Sequence, residues 1–247
     1  MDDLHWLTLK EASEKIQSNQ LSSVEYTTAL IKRTENIDPQ LNAYIMTTPD
    51  RALSDAHKAV ETTKKKNSTS PMTGIPYGLK DIIDVKGLIT TAHSKILLDN
   101  VSEKNAFVAS KLESAGGVFM GKLALHEFAI GGPAFDLPFP PARNPWNTNY
   151  HPGGSSSGSG AAVASGMLPA ALGTDTGGSV RNPATSCGIV GMKATYGRVS
   201  KAGVVPLSFS LDHVGPMTRT VEDNALLLNI IAGFDKNDPS TSSSQPV

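Results

Sequence analysis

Eight consecutive positions, Gly153 to Gly160, hold only glycine and serine, and Ala161-Ala162-Val163-Ala164 follows directly. By composition alone such a run is a flexible linker. The small, helix-compatible residues after it argue otherwise, because they put the serines in a turn that feeds a helix N-terminus, where hydroxyls and backbone N–H groups are presented together. Gly158-Ser159-Gly160-Ala161-Ala162-Val163 also matches part of a dinucleotide fingerprint. It lacks the third glycine and has no apolar strand immediately before it, which weighs against a nucleotide site.

A second glycine turn lies close behind, in Gly173-Thr174-Asp175-Thr176-Gly177-Gly178-Ser179-Val180-Arg181. Two adjacent glycines let the backbone turn tightly and aim successive N–H groups at one point, as an oxyanion requires. Donors of this kind contribute about 3 kcal/mol each in serine hydrolases, so Ser179 is a candidate nucleophile. The competing reading is an ordinary turn that ends in a helix-capping serine. Upstream, Lys80 stands in Gly78-Leu79-Lys80-Asp81-Ile82-Ile83-Asp84-Val85, among residues that read as a buried strand. Burial disfavours the ammonium and turns lysine into a base able to take a serine proton. The alternative is a lysine that snorkels to the surface or pairs with Asp81 or Asp84.

Around these segments the chain alternates helical and extended signals. Thr8 with Glu11, and Ser22 with Glu25, are capping-box patterns that predict two helices. Pro49 suits the first turn of a third, with Ala52, Ala56, Ala59 and Val60 on one face and Lys64 to Lys66 at its solvated end, before a loop over 67–70. A helix over Ala106 to Ser114 runs through Gly116-Gly117 into the strand Val118-Phe119-Met120. A second such unit joins a helix at Ala161 to Ser165 to a strand at Leu168 to Leu172, and the alternation predicts an α/β sheet. Pro133 to Pro152, with six prolines, reads as an ordered surface loop anchored by Trp146 and Tyr150. Asp238 to Val247 reads as a linker-like or frayed tail, leaving 1–237 as one domain.

Lys plus Arg number 22 against 23 for Asp plus Glu, so no net field draws the chain to nucleic acid or an anionic membrane. No apolar stretch is long enough to span a bilayer. The single cysteine, Cys187, rules out an internal disulfide framework and reads as a packed residue. With no leader-like segment before Leu4, a cytoplasmic setting is the default. The six histidines, His5, His57, His93, His126, His151 and His213, form no metal motif, and His126 before Glu127 reads as an ordinary polar residue.

Together the three segments resemble the amidase-signature family. Its glycine- and serine-rich hallmark is matched from Gly153 through Gly197, including Gly173 to Ser179 and Gly188-Ile189-Val190-Gly191-Met192-Lys193. In that family the nucleophilic serine follows a bridging serine by 24 positions, and Ser179 follows Ser155 by 24. The lysine of the family's Gly-Leu-Lys-Asp motif falls on Lys80. Phe135-Asp136-Leu137-Pro138 and Pro141-Ala142-Arg143-Asn144-Pro145-Trp146 look like general amidases and weigh against the glutamine-using transamidase branch.

The resemblance implies a mixed, mainly parallel central sheet flanked by helices, incomplete at its C-terminal end relative to longer members, and a cis peptide bond between Gly154 and Ser155. It implies a serine amidase in which Lys80 takes the Ser179 proton through Ser155. The N–H groups of Thr176, Gly177, Gly178 and Ser179 would hold the oxyanion, and an acyl-enzyme would give a carboxylate plus ammonia or an amine. Asp175 and Arg181 would brace the turn, with Ser156 packing the loop. The expected partner is a small-molecule amide, without metal, cofactor, nucleic acid or membrane, and a homodimer is compatible with all of this. Two other readings stay open: an inactive fragment or pseudoenzyme that serves as a binding module, and the glutamine-hydrolysing subunit of a tRNA-dependent amidotransferase.

Overall fold

A computed structural model of the protein describes residues 4–65 and 70–243. The first helices form where their caps predict them. In α1 (Leu9–Gln17) the box is complete: Glu11 N donates to Thr8 Oγ1 at 3.1 Å and Thr8 N to Glu11 Oε2 at 2.9 Å. Ser22 caps α2 (Ser23–Leu41) by accepting from Val24 N. The short strand β1 (Tyr44–Thr47) leads into α3 (Pro49–Lys64), which starts on proline and buries Ala52, Ala56 and Ala59. Lys66 and the loop expected over 67–69 lie outside the described residues.

The rest of the fold runs β2 (Pro76–Lys80), α4 (Phe107–Ser114), β3 (Val118–Leu123), α5 (Ser157–Ala164), β4 (Ala170–Asp175), α6 (Arg181–Cys187), β5 (Val190–Gly191), β6 (His213–Thr218) and α7 (Val221–Ile231). The six strands form one mixed sheet in the order β1-β3-β2-β4-β6-β5. Parallel pairing is confined to the central β3-β2-β4 triplet, and β1, β6 and β5 join antiparallel. β2, β3 and β4 are buried along their whole length, as continuous apolar runs covered on both faces must be.

Strand order decides where a site can form. From β2 the chain crosses through α4 to β3 on one side, and from β3 it returns through α5 to β4 on the other. The connections therefore diverge at the β2–β4 boundary, and the carboxyl ends of such strands leave a crevice between them. β2 ends there on Lys80 and β4 on Asp175.

α5 lies tightly on this sheet. A Cβ at Gly158 would stand 2.2 Å from the Ala43 carbonyl oxygen and 2.5 Å from Ala124 N. That glycine is required by helix-to-strand packing, which accounts for the partial nucleotide fingerprint without a nucleotide.

Two local expectations are corrected. The proline-rich 133–152 segment is irregular, as expected, but Trp146 and Tyr150 do not anchor it by burial, being 76% and 66% exposed. Polar bonds hold it instead: Arg143 N to Leu41 O at 2.7 Å, Asn144 Nδ2 to Ser186 O at 3.0 Å and Trp146 Nε1 to Cys187 O at 2.8 Å. Residues 238–243, expected to be linker-like, dock on the body through Lys201 N to Asp238 Oδ2 at 2.8 Å and Ser242 N to Gly197 O at 2.9 Å. The rest of that tail lies outside the described residues. No described helix is long and apolar enough to cross a membrane.

Candidate active site

Lys80 ends β2 with no solvent exposure, its Nζ 2.7 Å from Ser155 Oγ and 2.8 Å from Thr174 Oγ1. Snorkelling is thus excluded, and the adjacent carboxylates pair elsewhere. Asp81 Oδ1 lies 2.7 Å from Nζ of a second fully buried lysine, Lys122 on β3, in an ion-pair contact not aligned as a hydrogen bond. Asp81 Oδ2 accepts from Thr91 N and Thr91 Oγ1 at 2.9 and 2.5 Å. Asp84 Oδ1 accepts from Ser102 Oγ at 2.7 Å. The two buried lysines therefore differ in kind: Lys122 faces a carboxylate at contact distance, whereas Lys80 touches only hydroxyls.

Burial pushes the Lys80 amine down to about 7, against the opposing pull of Asp212 and Asp175. Lys122 is also lowered by burial, with Asp81 opposing the shift. At neutral pH a substantial part of Lys80 is a free amine beside the Ser155 hydroxyl.

Ser155 follows the cis Gly154–Ser155 peptide at the entry to α5. Ser156 binds the end of β4 twice: its Oγ accepts from Thr174 N at 3.1 Å and donates to Thr174 O at 3.2 Å. Ser156 N donates to Ser179 O at 3.1 Å, which brings the backbone of Ser179 alongside the Ser155–Ser156 step. Of the three residues singled out in the sequence, Lys80 bonds to Ser155, and the Ser179 backbone is held beside them through Ser156, with no hydrogen bond between the Ser155 and Ser179 hydroxyls.

The glycine turn that carries Ser179 is braced from below. Asp175, wholly buried, accepts from Arg181 Nε and Nη2 at 3.0 and 2.9 Å and from the N–H groups of Val180 and Arg181 at 3.2 and 3.3 Å. Burial alone would raise its carboxyl, but Arg181 and those N–H groups outweigh it and hold the group below the ordinary value. Gly178 adopts φ +141°, which favours glycine, and a Cβ at Gly177 or Gly178 would meet no atom within 4 Å. Space lies open above the turn. Among the described residues, the N–H groups of Thr176 to Ser179 have no acceptor and the Ser179 hydroxyl has no partner.

Three residues escaped the sequence reading. Thr174, inside the quoted motif, carries no local sign that it would bond to Lys80. His126 lies against Gly154, its N donating to Ser155 O at 3.1 Å and its Nδ1 3.1 Å from Gly131 O. Its Nε2 is buried without a partner among the described residues, and burial lowers its imidazole below the ordinary value. Asp212, just before β6, accepts from Thr176 Oγ1 at 2.6 Å. Among the described residues no cluster of His, Cys, Asp or Glu has the composition of a metal site.

Comparison with known proteins gives the family. Residues 25–247 match the family described as Amidase, and the chain belongs to it. It is 48% identical over 241 residues to a glutamyl-tRNA(Gln) amidotransferase subunit of Geobacter sp. (strain M21), covering 98% of this chain and 49% of that protein. Among solved structures, the same subunit of the Thermotoga maritima enzyme superposes with TM-score 0.82 at 36% identity, over 99% of this chain and 51% of that one. Native peptide amidase from Stenotrophomonas maltophilia superposes with TM-score 0.89 at 34% identity, over 97% of this chain and 50% of that one. The chain thus spans about half the length of the curated relatives it matches.

These relatives overturn two expectations. Partners limited to a small amide, with nucleic acid excluded, do not stand beside relatives whose name makes them one subunit of an enzyme for glutamyl-tRNA(Gln). A near-zero net charge counts only this chain's own side chains, and it is silent about an RNA held by a companion protein. Likewise the Phe-Asp-Leu-Pro and Pro-Ala-Arg-Asn-Pro-Trp elements do not separate this chain from the transamidase branch, with which it shares close to half of its residues. They lie in a surface loop tied to the far end of α6, outside the glycine turn itself.

Proposed function

We propose that this chain carries the catalytic centre of a glutamine-hydrolysing subunit of a tRNA-dependent amidotransferase, working with companion subunits. The observation that carries the chemistry is the fully buried Lys80 amine 2.7 Å from Ser155 Oγ, next to an open glycine turn that ends in Ser179. The choice of glutamine follows the relatives, since identity to this chain is 48% for the Geobacter amidotransferase and 34% for the peptide amidase.

In this reading the neutral Lys80 amine accepts the Ser155 proton while Ser155 takes that of Ser179. Ser179 Oγ attacks the side-chain amide carbon, and the N–H groups of Thr176 to Ser179 receive the developing oxyanion. As the C–N bond breaks, the proton returns through Ser155 to the leaving nitrogen and ammonia departs. Water then attacks the acyl-enzyme by the same relay, releasing glutamate and restoring the Ser179 hydroxyl. Asp175 and Arg181 hold the turn rigid enough for its N–H groups to stay convergent.

A fluorophosphonate serine probe tests the centre: labelling is expected on Ser179 by peptide mapping, absent in Ser179→Ala and strongly slowed in Ser155→Ala. Label at another residue, or equal labelling of both variants, refutes the relay. Ammonia release from glutamine, compared with release from peptide and aliphatic amides, tests the substrate. The peptide amidase likeness supports a second reading, hydrolysis of another carboxylic amide, and preferential turnover of such an amide would favour it.

A further inference from the structure

Asp212 belongs to none of the motifs that define the site, yet it joins two parts of it. It is buried, and its carboxylate is fully engaged. Oδ1 accepts from Thr176 Oγ1 at 2.6 Å, and Oδ2 accepts from Leu207 N and Ser208 N, each at 2.9 Å. One carboxylate therefore closes the 207–212 loop and ties it to the residue that opens the glycine turn. The turn is held at both ends: Asp175 binds Val180 and Arg181 beyond the nucleophile, and Asp212 binds Thr176 before it.

We propose that Asp212 is a positioning residue of the amidase chemistry, anchoring the oxyanion turn through Thr176 and supplying a negative charge that supports proton uptake by the buried Lys80 amine. This rests on the Lys80–Ser155–Ser179 reading above. Burial of an amine lowers its proton affinity, while a carboxylate in direct contact, as at Lys122, opposes that loss. A base that must gain and return a proton in each turnover needs something between, a negative charge close by but out of contact. Lys80 meets this description through Thr174: its Nζ bonds to the Thr174 hydroxyl at 2.8 Å, and Thr174 lines the same cavity as Asp212, which makes no hydrogen bond or ion pair with Lys80. Its contacts are the Ser155 and Thr174 hydroxyls, and the charged or titratable groups around it are Asp175 at the end of β4, Asp212 before β6 and His126 after β3. Of the two acids, Asp175 is committed to the Arg181 guanidinium, which cancels much of its field. Asp212 is bound by a hydroxyl and two backbone N–H groups, none of which carries a compensating charge. It is also the first of the two that oppose the effect of burial on Lys80.

The experiment uses the 247-residue chain and separates anchoring from charge. Asp212→Asn removes the charge and part of the hydrogen bonding, and Thr176→Val cuts only the link to the turn while leaving the Asp212 charge in place. The pH dependence of fluorophosphonate labelling at Ser179 is measured for both, with the Lys80 ammonium followed independently by NMR titration of labelled lysine. In Asp212→Asn the apparent pKa of the acid limb and the Lys80 titration are expected to move down together by about half a pH unit or more. In Thr176→Val labelling is expected to slow several-fold with the pKa unmoved. Asp212→Glu, which keeps the charge, is expected to return the pKa towards the wild-type value even if the rate stays low. An unchanged Lys80 titration in Asp212→Asn overturns the proposal, as does a Thr176→Val variant that labels at the wild-type rate. A wild-type chain that fails to label at Ser179 refutes the amidase reading instead, a result the NMR titration does not depend on.

Discussion

Replacing Lys80 by methionine removes a titrating group and keeps a side chain of similar reach. In the folded protein the Lys80 amine titrates at about 7 because of burial, against 10.5 as its ordinary value. The unfolded chain therefore holds this proton more tightly than the native one. Between those two pH values unfolding takes up a proton, so native stability rises with pH and is flat below and above that window. At about 1.4 kcal/mol per tenfold change in proton affinity, the rise from about pH 7 to about pH 9.5 amounts to about 3 kcal/mol. Lys80→Met lacks this dependence, and the other titrating groups are common to both proteins and cancel in the difference. The lost contacts to Ser155 and Thr174 add an offset that does not vary with pH. Urea unfolding of both proteins at the two pH values gives the result directly: wild type is expected to gain about 3 kcal/mol relative to Lys80→Met on going to the higher pH. Parallel behaviour of the two proteins would show that Lys80 keeps its proton in the native state and would remove it as a base.

The second buried lysine, Lys122, differs in having a carboxylate at contact distance. Lys122→Met leaves the Asp81 carboxylate buried without its cation, at an expected cost of about 3–5 kcal/mol in urea unfolding, while Lys122→Met combined with Asp81→Asn recovers much of the loss; equal stability of single and double variants would contradict a buried ion pair. Gly158→Ala forces a methyl to within 2.2 Å of the Ala43 carbonyl and is expected to lower the thermal midpoint sharply, an outcome read by calorimetry. Cys187 is fully buried, with its thiol pushed up to about 12 by burial, so a disulfide reagent is expected to react only after denaturation; fast reaction of the native chain would contradict the packing of α6. As pH falls, the Asp175–Arg181 link is expected to fail only below the ordinary carboxylate value, since the folded group is held lower; stability lost at higher pH would point to another group.

Much of the architecture was legible because its signals act over a few residues. The Thr8–Glu11 box, proline at the start of α3, the apolar face of Ala52, Ala56 and Ala59, and glycines after α4 each appear where local rules put them. The candidate site residues were read from the 24-residue spacing and the two glycine turns, and the burial of Lys80 was legible through the apolar residues around it. Side-chain exposure in the proline-rich segment was misjudged, because Trp146 is held by its indole N–H and not by a buried ring. The partner expectation failed for another reason: net charge describes one chain and not an assembly.

The sequence by itself determined the local conformations, the α/β alternation and the candidate residues Lys80, Ser155 and Ser179, since each depends on neighbours along the chain or on a motif read in order. Only the tertiary structure decided that β2 lies between β3 and β4, that Thr174 and not a carboxylate completes the surroundings of Lys80, and that Asp212 reaches Thr176. Strand order and pairing join residues far apart in the chain, and no local preference of either segment encodes which partner it will meet.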